Sequence, residues 1–446
     1  MSFPRYPAYK DSGVEWLGEV PGHWGVKKIG HVADLIAGFA FPSDRFGFEP
    51  EAGIPLVRGD NVTEGWLRWG EKGRYWPHGF EYDVRYLLAP NDILVQMDGS
   101  KVGKNWALVG AGDLPALLVQ RVTRIRANEA LPKLVYSFIA NEMFVRYVDR
   151  AKTDPAIPHI TMKDIADYWI TLPPLPEQTQ ITAFLDRETA KIDELVAEQR
   201  RLMALLKEKR LAVISHAVTR GLNPKAAMKD SGVAWLGEVP GHWEVKPLKH
   251  VIQSITSGVS VNSTDLPASS DEIGVLKTSC VYTGDFAPLE NKTVVPDEYG
   301  RVACPVLAGT LIVSRMNTPE LVGAAGVVHE SYKNLFLPDR LWQVHFENTN
   351  PSFVHYWTRT RAYRSQVEMA CEGTSSSMQN LAQSDFRNFC FPHPEINEQA
   401  TIVAYLNHQT TQIDTLILET QTAIILMQER RNALISAAVT GKMDVR

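Results

Sequence analysis

The chain is poor in cysteine, and its four cysteines, Cys280, Cys304, Cys371 and Cys390, all fall in the second half of 446 residues. No pair has C-x-x-C spacing and no paired framework is visible. A structural zinc site and a disulfide scaffold are therefore excluded as organising devices, and the four read as small buried hydrophobes. No run of about 18 apolar residues occurs, which excludes a transmembrane helix. The opening "MSFPRYPAYKDSG" lacks the basic-then-apolar order of a secretory signal, so the chain is expected in the cytoplasm. Positive charge is not in excess either: Lys and Arg number 46 against 51 Asp and Glu, a formal charge of −5. A nucleic-acid partner would have to meet a local basic patch, because phosphate attraction needs positive charge where it binds. What remains is a globular composition, 44% hydrophobic and 22% charged, long enough for two or more domains.

Catalytic signatures are also scarce. "GSKVGK" (Gly99–Lys104) has the outline of a phosphate loop but is one residue short and is followed by Asn105 where Ser or Thr belongs; the second half offers "TPELVGAA", without lysine. "TLPPLP" (Thr171–Pro176) lacks both the leading polar residue and the closing ring of an adenine-methylating motif. His23 and His242 have no second ligand at metal-binding spacing and, beside Trp24 and Trp243, read as packed or capping residues. No nucleophile, base and orienting group stand together, so the chain is expected to bind rather than catalyse.

The strongest positive feature is repetition. "KDSGVEWLGEVPGHW" (Lys10–Trp24) returns as "KDSGVAWLGEVPGHW" (Lys229–Trp243), with Glu15 exchanged for Ala234. A second stretch, 172–221, matches 393–442 without a gap: Glu177-Gln178 falls on Glu398-Gln399, Ile192-Asp193 on Ile413-Asp414, and Arg210 on Arg431. The chain is a tandem duplication whose units each consist of the opening segment, a variable domain and this last stretch. The boundaries are 1–172 and 222–392 for the domains, 173–221 and 393–446 for the closing stretches.

Each closing stretch predicts a long helix. Pro176 and Glu177 suit a first turn, Asn397 a cap, and Gly221 and Gly441 stand where chains leave helices. Heptads counted from Gln178 place Ile181, Leu185, Ile192, Leu195, Leu202, Leu206 and Val213 on one seam; the second copy places Ile402, Leu406, Ile413, Leu416, Ala423, Met427, Leu434 and Ala437 there. Polar interruptions coincide: Glu188 with Gln409, Gln199 with Thr420, Lys209 with Arg430. Two helices of one pattern predict an intramolecular antiparallel coiled coil, about 60 Å long for about 40 residues. Pairing between two chains is the alternative; pairing within the chain is favoured because both partners are supplied.

The variable domains, about 25–171 and 244–392, differ in sequence but share a pattern. Strands are predicted at "IPLV" (54–57), "DILVQM" (92–97) and "VTRI" (122–125), and at "GVLK", "TLIVSRM" and "LWQVHF" in the second copy. A helix is predicted after them from Pro132 and from Pro351, the latter behind a capping Asn350. Both are read as copies of one α/β domain.

In this order, the "DSGVEWLGEVPGHW" opening, the "DILVQM…VGK" and "LIVSRMNTPELVG" centres, the "GTSSSMQNLAQSDF" loop and the "LPPLPEQ" helix start make the chain resemble the specificity subunit of a Type I restriction-modification system across nearly its full length. The resemblance implies two target-recognition domains, each reading half of a split double-stranded DNA sequence, with paired helices setting the spacer. It implies a non-catalytic chain that itself binds no cofactor. The partners would be two methylation subunits, which use S-adenosylmethionine and flip an adenine from the stack, and restriction subunits, which use ATP and Mg. The first domain departs from the pattern at "TDPAIPHITMKDI" (153–165), where the Gly/Ser/Gln-rich loop is missing. The alternatives are a coiled-coil scaffold without a DNA role, and the recognition chain of a related system whose modification and cleavage share one polypeptide.

Parts that repeat should do one job twice, and parts that differ should read different half-sites. Arg58 and Lys277 occupy equivalent places, as do Arg121 and Arg340; equal charge in both copies suits phosphate contact. The alternative is a surface cation paired to a neighbouring carboxylate. Gln96, Asp98, Ser100 and Lys101 face Arg315, Asn317, Thr318 and Glu320, side chains able to read base edges in the major groove. Ser375, Ser376, Ser377 and Gln379 form a second candidate loop; for each single residue the alternative is an ordinary solvated loop.

Overall fold

The architecture is that of a computed structural model, which describes residues 4–128, 130–152, 158–371 and 377–446. The chain divides into two compact units: Met1–Arg200 with Thr422–Arg446, and Arg201–Gln421.

In the first unit the repeated opening forms a ribbon, Tyr9–Asp11 against Glu19–Pro21, and delivers Trp24, fully buried, to the core. The main sheet runs Ala33–Ala37, Val122–Ala127, Ile93–Gln96, Trp106–Leu108, Glu64–Gly65, antiparallel except for the last pair. Its central strand reads as an unbroken apolar run because both faces are covered: Ile93 and Val95 enter the large core, while Leu94 enters a second cluster with Val57 and Leu118. A smaller sheet joins Leu117–Leu118, Gly53–Val57 and Tyr75–Pro77.

The second unit repeats this logic. Ile252–Ser257, Leu341–Phe346, Thr310–Ser314 and Ala325–Val328 form an antiparallel sheet. Leu311 and Val313 face one core and Ile312 faces another. The architecture is thus mixed helix and strand. Cys280 and Cys371 are buried as expected, whereas Cys304 and Cys390 are only half-buried.

The helix predicted from Pro132 is two, Pro132–Ile139 and Glu142–Ala151, because the Asn141 side chain accepts from the Met143 N–H and starts a new helix. Thr360 does the same between Pro351–Thr358 and Arg361–Ala370, while Asn350 caps the former as predicted.

The closing stretches are helices Leu175–Arg220 and Ile396–Val439, so Asn397 lies inside the first turn rather than at the cap. Each is left through a glycine at positive φ, Gly221 at 73° and Gly441 at 71°. No helix among the described residues is long and apolar enough to cross a membrane. In the first unit Ile181 and Leu185 share a core with Ile435 and Val439, and Ile192 and Val196 pack with Ile424. Arg431 grips Asp193 there through Nε at 2.9 Å and Nη2 at 3.3 Å. In the second unit Ile214 and Val218 share a core with Ile402 and Leu406, and Arg210 holds Asp414 at 2.8 and 3.1 Å.

The strict heptad misplaces part of the seam. Leu195, Leu202 and Leu416 are exposed (50%, 43% and 48%), while Val196 and Ile424, which the heptads omit, are buried. Met427 and Leu434 are half-buried. An α-helix repeats every 3.6 residues and drifts about 20° per heptad, so a 3.5-residue count slips within a few turns.

Burial holds the His355 imidazole down to about 4, with its Nε2–H donating to the Gly284 carbonyl. A histidine neutral in the fold but protonated when unfolded contributes stability that is present above its unfolded value, about 6.5, and is lost as pH falls toward the folded value. Denaturant unfolding of the second unit is expected to weaken between about pH 6.5 and 4, and less so in His355→Gln; equal pH slopes for the two proteins would rule out this histidine as the cause.

Candidate nucleic-acid interface

Strand ends gather the candidates of the first unit. Ile93–Gln96 runs out into the loop carrying Asp98, Ser100 and Lys101, and Val122–Ala127 starts beside it, so Arg121 arrives at the same edge. Arg121 has a positive φ of 71°, rare for a side chain of this size, and its Nη1 donates to Asp98 Oδ2 at 2.7 Å. Asp98 is mostly covered, whereas 68% of the Arg121 side chain is exposed. The carboxylate therefore fixes the direction of a guanidinium that still faces solvent, which lowers the entropy lost when it contacts a ligand. The carboxylate-paired reading of Arg121 is thus met, and it leaves most of the guanidinium exposed.

Gln96 is half-buried and its Oε1 accepts from Asn105 Nδ2 at 2.6 Å. Ser100 and Lys101 are exposed. Arg58 is half-buried, with Nη2 near the Lys72 carbonyl at 3.4 Å and Asp60 at 3.8 Å. Two concavities meet here: Gly59, Asp60 and Gln96 line both, Ser100 and Lys101 complete one, and Arg58, Asp98 and Arg121 complete the other.

Sequence reasoning missed several neighbours. Trp66, 58% exposed, and Arg68 line the first concavity. Phe41 lines the second and also a third, with Arg45 and Arg85. Phe41 is itself buried at 6%, whereas Trp66 is exposed; an aromatic a few residues before an arginine, Trp66 before Arg68 and Phe41 before Arg45, was the available signal.

In the second unit Arg315 follows Thr310–Ser314, with Nε donating to the Asp339 carbonyl at 2.8 Å and Nη1 reaching Asn380 Oδ1 at 3.4 Å. Arg340 is exposed and its carbonyl accepts from the Arg315 N–H. Thr318 is half-buried, Gln379 is half-buried, and Ser375 and Ser376 lie outside the described residues. The short strands Met316–Asn317 and Gln379–Asn380 pair, joining the two candidate loops. Lys277 is half-buried at the end of Gly274–Leu276, its N–H bonded to the Glu290 carbonyl.

Asn317 needs correction as a reading residue. It is 7% exposed, its Nδ2 donates to Tyr282 OH at 2.9 Å and Ser314 Oγ at 3.2 Å, and its Oδ1 accepts from the Thr318 N–H. A buried amide with both ends engaged shapes the loop.

The facing of Gln96 with Arg315, and of Asp98 with Asn317, is shifted by one, whereas that of Ser100 with Thr318 keeps its register. Met97 N–H bonds the Arg121 carbonyl, and Arg315 N–H bonds the Arg340 carbonyl. Val122 pairs with Gln96 and Leu341 with Ser314. Arg315 therefore stands where Met97 stands, and Gln96 corresponds to Ser314.

His23 and His242 are exposed and bond carboxylates near the helix starts, Glu177 at 2.7 Å and Glu398 at 2.9 Å, so they act as ion-pair or hydrogen-bond partners rather than as packed residues. Among the described residues no cluster of His, Cys, Asp and Glu is placed to hold a metal.

The family model described as the Type I restriction modification DNA specificity domain matches residues 21–201. The chain is 22% identical to the Type I restriction enzyme EcoBI specificity subunit of Escherichia coli, covering 97% of this chain and 89% of that protein. It is 23% identical to the MjaVIII specificity subunit of Methanocaldococcus jannaschii, covering 96% and 94%. A chain from a solved structure concerned with complex assembly and conformational transition of the type I R-M system superimposes with a TM-score of 0.70 at 17% identity, covering 94% of this chain and 98% of that one, which is a likeness of fold.

Proposed function

We propose that the chain is a specificity subunit of a Type I restriction-modification system, to which it is similar along nearly its whole length, and that it reads a split DNA target for such a complex. Residues 1–172 and 222–392 act as target-recognition domains, one per half-site, and the two long helices pair as an antiparallel coiled coil that sets the spacer. The observation that carries this reading is the strand-end edge in each unit. There a repeated arginine, Arg121 or Arg340, adjoins side chains that do not repeat, Gln96, Ser100 and Lys101 in one unit and Arg315 and Thr318 in the other. Phosphate contact needs the same charge twice, and base reading needs different groups. The reciprocal ion pairs support the helix pairing, since Arg431 with Asp193 and Arg210 with Asp414 are the same two positions used with the helices exchanged.

On this reading the chain performs no chemistry and works in the cytoplasm. Two methylation subunits dock on the repeated segments and bring S-adenosylmethionine, while restriction subunits bring ATP and Mg.

The test is to express the chain with its methylation partner and map modified adenines across a genome. Two fixed half-sites at one spacing are expected; unmodified DNA, together with binding that does not weaken as salt rises, would favour a scaffold without a DNA role. Inserting four helix-forming residues after Lys207 adds about 6 Å and nearly one turn. The spacer is then expected to grow by about one or two base pairs, since ten pairs span about 34 Å, with both half-sites unaltered. An unchanged spacer would mean that the helices are not the ruler.

A further inference from the structure

The first domain lacks the Gly/Ser/Gln-rich loop, yet the segment that replaces it reaches the same place. Gly99 N–H bonds the Pro158 carbonyl at 3.0 Å, Ile160 N–H bonds the Met97 carbonyl at 2.9 Å, and Asp98 bridges antiparallel to His159. In the second unit Leu381 N–H bonds the Arg315 carbonyl at 2.8 Å and Met316 pairs with Asn380. Since Met97 stands where Arg315 stands, the two bridges coincide. Ile160 matches Leu381, both essentially buried, and each leads into a short helix, Met162–Ala166 or Gln383–Asn388, that buries Ile165 or Phe386. His159 therefore occupies the position of Asn380.

Both side chains are exposed and stand across a two-strand bridge from the candidate reading loop. Asn380 touches Arg315. His159 lies opposite Asp98, the carboxylate that aims Arg121, and among the described residues no hydrogen bond engages its ring. An imidazole held on a backbone paired with Asp98, the residue whose carboxylate fixes a guanidinium, can donate to the N7 or O6 acceptors that purines present in the major groove.

We propose that His159 is a specificity-determining residue, donating to a purine acceptor in the half-site read by the first unit. The inference rests on the DNA-reading function and adds a contact that the repeat comparison does not contain.

The experiment maps methylated adenines for the complex carrying wild-type chain, His159→Ala and His159→Gln. Wild type should give two defined half-sites. His159→Ala should lose about tenfold discrimination at one position of the first half-site, and His159→Gln should shift the preference at that position, with the second half-site unchanged in both. Absence of defined half-sites in wild type would overturn the DNA-reading function itself. Defined wild-type half-sites with an unaltered preference in both variants, or uniformly weaker methylation at unaltered preference, would overturn the role of His159 alone. Thermal melts matching wild type show that the variants are folded.

Discussion

Gly441→Ala is expected to destabilise the first unit by roughly 2–4 kcal/mol, the sum of a left-handed backbone penalty of about 1–2 kcal/mol and an overpacking cost of similar size. Gly441 has φ of 71°, and a β-carbon there would lie 2.3 Å from Pro21 Cδ and 3.0 Å from the Trp24 ring. Trp24 is fully buried, with its Nε1–H donating to Glu177 at 2.9 Å, so neither the ring nor the turn can yield without disturbing the start of the helix Leu175–Arg220. The equivalent Gly221→Ala is the control. Gly221 has the same kind of φ, 73°, but its nearest neighbour is Trp243 Cζ2 at 3.2 Å, so it should cost little beyond the backbone term. Chemical denaturation, with hydrogen exchange assigning the loss to the segment around Pro21 and Trp24, checks the difference. Equal losses for the two variants would show that the close approach to Pro21 carries no weight.

Gln399→Leu should cost the second unit about 2–6 kcal/mol, because it orphans two buried backbone groups at roughly 1–3 kcal/mol each. Gln399 is wholly buried; its Nε2 donates to the Pro394 carbonyl at 2.8 Å and its Oε1 accepts from the Asn350 N–H at 2.9 Å. It thereby ties the start of the helix Ile396–Val439 to the cap of the helix Pro351–Thr358. Gln178 does the same for Pro173 and Leu131 in the first unit, at 2.9 Å each, so Gln178→Leu should destabilise that unit by a similar amount. Urea titrations of both variants, read against Thr401→Ala on the exposed face, give the measurement. Losses as small as that of Thr401→Ala would mean that relaxed neighbours or water replace the amide.

These two sites show why repetition was the most informative part of the chain. Glu177-Gln178 and Glu398-Gln399 stood out in the sequence only as matched letters; the structure gives them a common task, carboxylate to the His and amide to the backbone. Matching could flag the positions because any site that must satisfy the same buried groups twice keeps the same residue twice.

The sequence by itself determined the duplication, the two long helices, the apolar central strands and the terminal glycines. Each rests on local chemistry: periodicity, capping, or the conformational freedom that a positive φ requires. Only the tertiary structure decided register and company. It moved the seam from Leu195 to Val196, since helix drift is settled by what the facing helix presents. It broke one predicted helix at Asn141 and another at Thr360, where a side-chain cap outcompeted continuation. It buried Asn317, and it set Arg315 opposite Met97 by a one-residue shift that an ungapped comparison cannot register. Above all it brought Pro158, His159 and Ile160 to the loop at Met97–Gly99. Backbone pairing between segments some 60 residues apart depends on the path of the chain through the core, and no property of either segment alone encodes it.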